Sequence, residues 1–203
     1  MGRVVFDITT SLDGFIAGPN DGPEHPLGEG GEKLHEWVYG LVSWREPHGL
    51  EGGETGRDSE VLDEAMRNVG AIVLGKRMFD LAKGWGDNPP FHAPVFVLTH
   101  EARDPLAKEG GTTFTFVTDG IESALEQARA AAGDKDVAIA GGANTIQQFL
   151  RAGLIDELQI HVAPLLLGGG VRLFEDAPAD LKLETTRVLE SPHVTHLKFR
   201  VVK

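Results

Sequence analysis

The sequence contains no cysteine at all. That absence excludes a disulfide framework, a thiolate zinc site and a cysteine nucleophile together. Positive charge is also scarce: 19 Lys and Arg stand against 31 Asp and Glu, a formal net charge of -12, so a polyanion such as DNA would be repelled. No apolar run reaches the roughly 20 residues that span a bilayer. The N-terminal stretch Arg3-Val4-Val5-Phe6 lacks the apolar segment of a secretory signal, and we expect a cytoplasmic protein that binds neither nucleic acid nor membrane. No Gly-x-Ser-x-Gly elbow occurs, which removes the commonest serine hydrolase pattern. Histidines are scattered, and His193 and His196, three apart on an expected strand, would point to opposite faces, so no metal site is expected.

What remains is an ordinary globular composition, 41% hydrophobic and 25% charged over 203 residues, enough for one α/β domain with a single main core spanning 1–203. The most informative stretch is Val137-Ala138-Ile139-Ala140-Gly141-Gly142-Ala143-Asn144-Thr145-Ile146, continuing to Phe149 and Leu150. Small apolar residues suited to a buried strand run into a glycine pair, and Ile146, Phe149 and Leu150 then follow a helical period. The first N–H groups of a helix have no partner inside it and lie at the positive end of its dipole, so this turn suits a phosphate anion. A plain close turn explains the two glycines equally well.

Further segments have the same strand-to-turn form. Val4 to Ile8 is a short buried strand interrupted by Asp7, a carboxylate whose pKa a dry site would raise and therefore a candidate acid. The strand ends at Thr9-Thr10-Ser11, and we read Ser11 to Gly18 as a loop leaving it, although Asp13-Gly14 also suits a hairpin. Leu34, Trp37, Val38 and Leu41 predict one amphipathic helix with Glu32 and Glu36 on its other side. Residues 45–57 show no periodicity and predict a surface loop insertion. Ala71 to Leu74 is a strand leading through Gly75 directly into Lys76-Arg77-Met78-Phe79, a pair of cations at a helix start. Pro94 to Leu98 is another strand, ended by Thr99-His100-Glu101-Ala102-Arg103. Asp119 to Glu122 has capping-box spacing before a helix. Leu158, Ile160 and Val162 alternate with Gln159 and His161 as a strand, which Gly168 to Gly170 follows as a close backbone approach or bulge. The chain closes on two strands from Leu181 to Leu189 and Thr195 to Val202, with Leu197, Phe199 and Val201 inward and His196, Lys198 and Arg200 outward.

Four of these segments, Ser11-Leu12-Asp13-Gly14-Phe15-Ile16-Ala17, Val73 to Phe79, Ala140-Gly141-Gly142-Ala143 and Ile155 to Gly168, together resemble the dihydrofolate reductase-like superfamily in their order. The likeness is strongest to the C-terminal reductase domain of the riboflavin biosynthesis deaminase/reductase. The resemblance implies a mixed, mostly parallel eight-stranded sheet with helices on both faces, a C-terminal antiparallel hairpin, and NADPH across the strand ends. It implies a homodimer as well. By position, Thr9, Thr10, Ile16 and Ala17 would border the nicotinamide, and Gly141, Gly142, Ala143, Asn144 and Thr145 the pyrophosphate. Gly75, Lys76, Arg77, Met78 and Thr99 would face the 2′-phosphate neighbourhood, with His100 and Arg103 as helpers. Met78 departs from the hydroxyl residue usual in dihydrofolate reductases. Alignment on Trp37 leaves an apolar residue where those enzymes carry the acid that binds the pterin. The expected activity is therefore hydride transfer from NADPH to a small heterocycle, carbonyl or imine, with Asp7, Glu36 or a bound water as the proton source. A true folate or pterin reductase and a non-catalytic nucleotide-binding protein are the alternatives.

Overall fold

The computed structural model describes residues 2–175 and 177–203. Among these, eleven strands and six α-helices follow one another as β1 (Val4–Ser11), β2 (Phe15–Ala17), α1 (Glu36–Tyr39), α2 (Val42–Arg45), α3 (Arg57–Asn68), β3 (Val69–Gly75), α4 (Lys76–Leu81), β4 (Pro94–Leu98), β5 (Leu106–Ala107), β6 (Thr113–Val117), α5 (Ile121–Ala132), β7 (Asp136–Gly141), α6 (Ala143–Arg151), β8 (Glu157–Ala163), β9 (Val171–Arg172), β10 (Lys182–Glu190) and β11 (Thr195–Val202).

Nine strands form one sheet in the order β10-β11-β8-β1-β7-β3-β4-β6-β5, and β2 pairs with β9 in a small second sheet. The pairs from β8 through β6 are parallel, while β10, β11 and the two-residue β5 run antiparallel to their neighbours. This is the mixed, mostly parallel sheet with a closing hairpin that the sequence predicts, enlarged at one edge by β5. Parallel strands need both faces covered, and their near-continuous apolar runs follow from that. On one face α5 and α6 pack Leu125, Ile146 and Phe149 against Val4, Phe6, Val73, Ile139 and Leu158. The other face is divided. Phe79 of α4 and Phe114 close over Ile72, Leu74 and Val97, while Trp37, Val38, Leu41 and Val194 form a separate cluster beyond.

Two local expectations change, the helix around Trp37 and the capping box at Asp119, while residues 45–57 are largely exposed. The single helix through Leu34 and Leu41 is broken into a 3-10 turn (Gly31–His35), α1 and α2, with Gly40 and Leu41 between the last two; the four apolar residues are nonetheless all buried. Residues 45–57 are tethered, since Glu54 bonds back to Gly40 and Val42, and the Arg45 guanidinium donates to the carbonyls of Glu51 and Gly52. Helix α5 starts from Gly120 without a side-chain cap, so Asp119 and Glu122 form no capping box.

The Asp13-Gly14 turn makes no hairpin with β1. It delivers Phe15 to Ala17 to β9, and Asp13 holds the crossing together. Its carboxylate accepts from the Ser11 hydroxyl at 2.5 Å and from the N–H groups of Leu167 at 3.1 Å and Gly168 at 2.7 Å. These bonds, the Ser11 one foremost, hold its pKa at about 2. Gly170, with φ +119, is the close approach expected of the glycine run: a Cβ there would lie 2.1 Å from the Ala17 carbonyl oxygen.

Candidate active site

The carboxyl ends of β3 and β7 lie side by side, with Leu74 paired to Gly141, and β1 pairs with β7 on its other side through Val4 and Val5. At the end of β7 the chain turns through Gly141 (φ +127) and Gly142 into α6. The first bond of that helix runs from the Ile146 N–H to the Gly142 carbonyl, so the N–H groups of Ala143, Asn144 and Thr145 precede the ladder. A Cβ on Gly142 would meet nothing within 4 Å, and open space therefore faces the turn. Next to it, a Cβ on Gly75 would come within 2.6 Å of the Thr145 hydroxyl, and one on Gly141 within 3.4 Å of the Met78 sulfur. The β3–α4 and β7–α6 turns thus touch through residues that the sequence analysis assigns to one ligand.

Lys76 and Arg77 stand at the start of α4 as expected, and both are engaged. Lys76 pairs with Asp80 and at 3.8 Å with Glu101, and the Asp80 bond chiefly raises its pKa. Arg77 pairs with Asp21 at 2.7 Å. Thr99 is buried and its hydroxyl accepts from the Glu101 N–H at 3.0 Å, while His100 is exposed. Arg103 spreads over the Phe116 ring, 4.6 Å from its centroid. Asn144 is exposed and bonds Gln148; Ala143 and Thr145 are buried.

At the end of β1 the picture differs. Thr9, Thr10 and Ala17 are buried and Ile16 is half-buried. The alternation of β1 turns Asp7 and Thr9 toward the face that carries Trp37, away from α5 and α6. The register pairs Asp7 with Gln159 and Thr9 with His161 across β1 and β8, and His161 with His196 across β8 and β11. The result is a continuous line of side chains. Asp7 Oδ2 accepts from Gln159 Nε2 at 2.8 Å, and Asp7 Oδ1 lies 2.6 Å from His161 Nε2. His161 Nδ1 lies 2.6 Å from His196 Nδ1, and His196 Nε2 lies 3.0 Å from Asp58 Oδ1 on α3. Trp37 packs against both imidazoles, with centroids 4.9 and 5.3 Å apart, and its indole N–H donates to Thr9 Oγ1 at 3.2 Å.

His196 is 1% exposed, not outward as its strand period predicts. The sheet is covered on both faces there, with Phe199 and Val201 toward α6's core and His196 toward α1 and α3. Burial pushes its pKa below the ordinary value. Arg187 continues the network, donating to Gln159 Oε1 at 3.0 Å and to Glu64 Oε2 at 2.6 Å. Glu36 is exposed, and Trp37 beside it is the residue of α1 that enters the cluster. Asp7 keeps 31% of its side chain exposed, so it is the end of the line that a small molecule can reach.

Of this line, Asp7 alone stands out in the sequence as a candidate acid. His161 carried a signal, since it shares the polar parity of Gln159 in an apolar strand; Asp58 and His196 carried none. A group of three or more ligating side chains able to hold a metal does not occur among the described residues.

The model of the RibD C-terminal domain matches residues 3–197. Among curated relatives, the uncharacterized protein YyaP of Bacillus subtilis is 26% identical over 201 residues, covering 93% of this chain and 90% of its own. The riboflavin biosynthesis protein RibD of Mycobacterium tuberculosis is 42% identical over 105 residues, which are 52% of this chain but only 24% of that one. A crystal structure provisionally assigned to riboflavin biosynthesis in Shewanella sp. PV-4 superposes over the whole of both chains with a TM-score of 0.69 and 26% identity. Dihydrofolate reductase of Enterococcus faecalis, solved with NADP(H), has the same fold at 13% identity and a TM-score of 0.60, covering 100% of this chain and 98% of its own. The chain therefore belongs to the RibD C-terminal domain family, a family of reductase domains.

Proposed function

We propose that the protein is an NADPH-dependent reductase of a small heterocyclic substrate with a conjugated C=N or C=O, as expected of a 5-amino-6-ribosylaminopyrimidinone reductase-like domain. The observation that carries this reading is the contact of the open β7–α6 turn with the β3–α4 turn, in a sheet whose neighbouring strand β1 holds Asp7 and Thr9 on one face. The cofactor, when bound, supplies a hydride, that is, two electrons and one hydrogen nucleus.

The residues present suit such a group. The unladdered N–H groups at the start of α6 would hold a pyrophosphate, and Gly142 leaves room for it. Lys76 and Arg77 would hold the 2′-phosphate. Their carboxylate partners form weak, solvent-screened surface pairs, which a doubly charged phosphate can displace. Thr9, Thr10, Ile16 and Ala17 would border the nicotinamide. The chain's other task is the proton. Asp7 rather than the exposed Glu36 fits it, since Asp7 is held at two oxygens and remains partly accessible. A non-catalytic nucleotide-binding role would leave that arrangement without a purpose.

The same reading includes one reductase domain over 1–203, supported by a sheet that the two chain halves share through β1. It includes a homodimer, for which the exposed nine-residue edge strand β10 with Leu183 and Val188 offers a surface. No helix among the described residues is long and apolar enough to cross a membrane, in keeping with a cytoplasmic role.

A titration with NADPH and with NADH, followed by nicotinamide fluorescence, tests the reading. About a tenfold preference for NADPH (about 1.4 kcal/mol) is expected. Lys76→Ala with Arg77→Ala should abolish the preference and leave NADH binding unchanged. Binding of neither nucleotide would remove the reductase assignment.

A further inference from the structure

The three hydrogen bonds of the line Asp7, His161, His196 and Asp58 fix its proton count. Each bond needs one hydrogen. Both outer bonds use ring Nε2 atoms, so with both carboxylates ionised each imidazole carries a proton at Nε2. The Nδ1 to Nδ1 contact then needs a third proton on one ring. One of the two histidines is consequently an imidazolium. The four groups together carry one net negative charge, wherever along the line the protons sit.

The surroundings suit that state. Trp37 packs against both imidazoles. Gln159 fixes the second oxygen of Asp7. The other charges that face the line are balanced among themselves, Arg187 and Lys198 against Glu64 and Glu157. Burial pushes the pKa of His196 below the ordinary value, and His161 is the ring that borders Asp7. At the opposite end Asp58 lines a surface cleft of about 320 Å³ together with Glu54, Arg57, Glu190 and His193. The line thus runs from Asp7, which is partly exposed, to Asp58 at the cleft.

We propose that His161 and His196 form a two-imidazole proton store, anchored at its far end by Asp58, that supplies the substrate through Asp7 and is refilled there. The proposal rests on the reductase reading, which gives the proton a destination. Addition of a hydride to the carbon of a C=N or C=O leaves an electron pair on the nitrogen or oxygen, and that atom takes one proton. Asp7 receives the His161 Nε2 proton and passes one to the heteroatom, forming its N–H or O–H bond. His161 keeps the Nδ1 proton, so the store goes from three protons to two. The third is regained at Asp7, which solvent reaches once product leaves, and returns from its carboxyl to His161 Nε2. Asp7 is the group that touches substrate; His161, His196 and Asp58 act through it.

Two measurements on the intact protein test this. In nitrogen-15 histidine NMR at neutral pH, three of the four ring nitrogens of the pair should carry protons. In weakly buffered solution, binding of NADP+ should release up to about one proton more than binding of NADPH, because the two differ in the charge of the ring that Asp7 would face. Asp58→Asn keeps an acceptor for His196 but removes a charge, and should shift loss of the third proton to lower pH. His161→Asn should abolish the difference between the two nucleotides. If that variant does not fold, the wild-type comparison and Asp58→Asn decide. Two protonated nitrogens, or equal proton release by both nucleotides, would overturn the store while leaving the reductase reading intact. Binding of neither nucleotide would remove the delivery step along with that reading, whatever the NMR proton count.

Discussion

The turn after β7 and the polar line across β1, β8 and β11 are built by opposite means. At the turn the useful groups belong to the backbone: helix N–H groups beside glycines, with cations held in exposed pairs. Along the line they are side chains, buried and bonded to each other. A backbone site depends little on its neighbours' identities, whereas a buried polar network depends on every member, because an unpaired group in a low-dielectric site costs more than a bond contributes. The first should therefore be sensitive in binding and tolerant in stability, and the second the reverse.

Removal of one member of the buried line gives the largest expected effect. His196→Ala leaves Asp58 and His161 without their shared partner and opens a cavity under Trp37, so it should cost about 3 kcal/mol in urea denaturation. NADPH affinity should change less than twofold. A loss of NADPH binding without a loss of stability would reverse the contrast. Gly142→Asp is the complementary experiment. The new side chain points into open space, so stability should stay within about 0.5 kcal/mol. The carboxylate would stand where a phosphate is proposed, and NADPH affinity should fall on the order of 100-fold, about 2.7 kcal/mol, by fluorescence titration.

The smallest effect concerns the loop that leaves β1, which Asp13 ties to Leu167 and Gly168 after β8. Asp13 has a native pKa of about 2 against an ordinary 3.8. A depressed carboxylate contributes stability that is present above pH 3.8 and lost as pH falls through 2. Asp13→Asn should flatten the acid limb of a thermal-stability profile in that window and leave the profile above about pH 5 unchanged in shape. An unaltered acid limb would mean that other carboxylates dominate.

Much of the fold was legible because strand and helix periods are local properties of the chain. The β7–α6 and β3–α4 turns were readable for the same reason: glycines and cations at a strand end announce themselves within a few residues. Local reading failed where a period continued across a break, as at Gly40, where the apolar face of one helix belongs to three short pieces. It also failed at His196. A strand's alternation separates its two faces, but it does not say whether the second face meets water or α1 and α3.

The sequence by itself determined the strand-turn-helix units, the absence of cysteine chemistry and the polar parity of Asp7 with Thr9 and of Gln159 with His161. Only the tertiary structure decided that these two pairs are neighbours, that His196 joins them from residue separations of 35 and more, and that Asp58 closes the line. The reason is physical: a backbone site is made by consecutive residues, while a buried side-chain network is made by strand order, and strand order is set by how both faces of the sheet are covered.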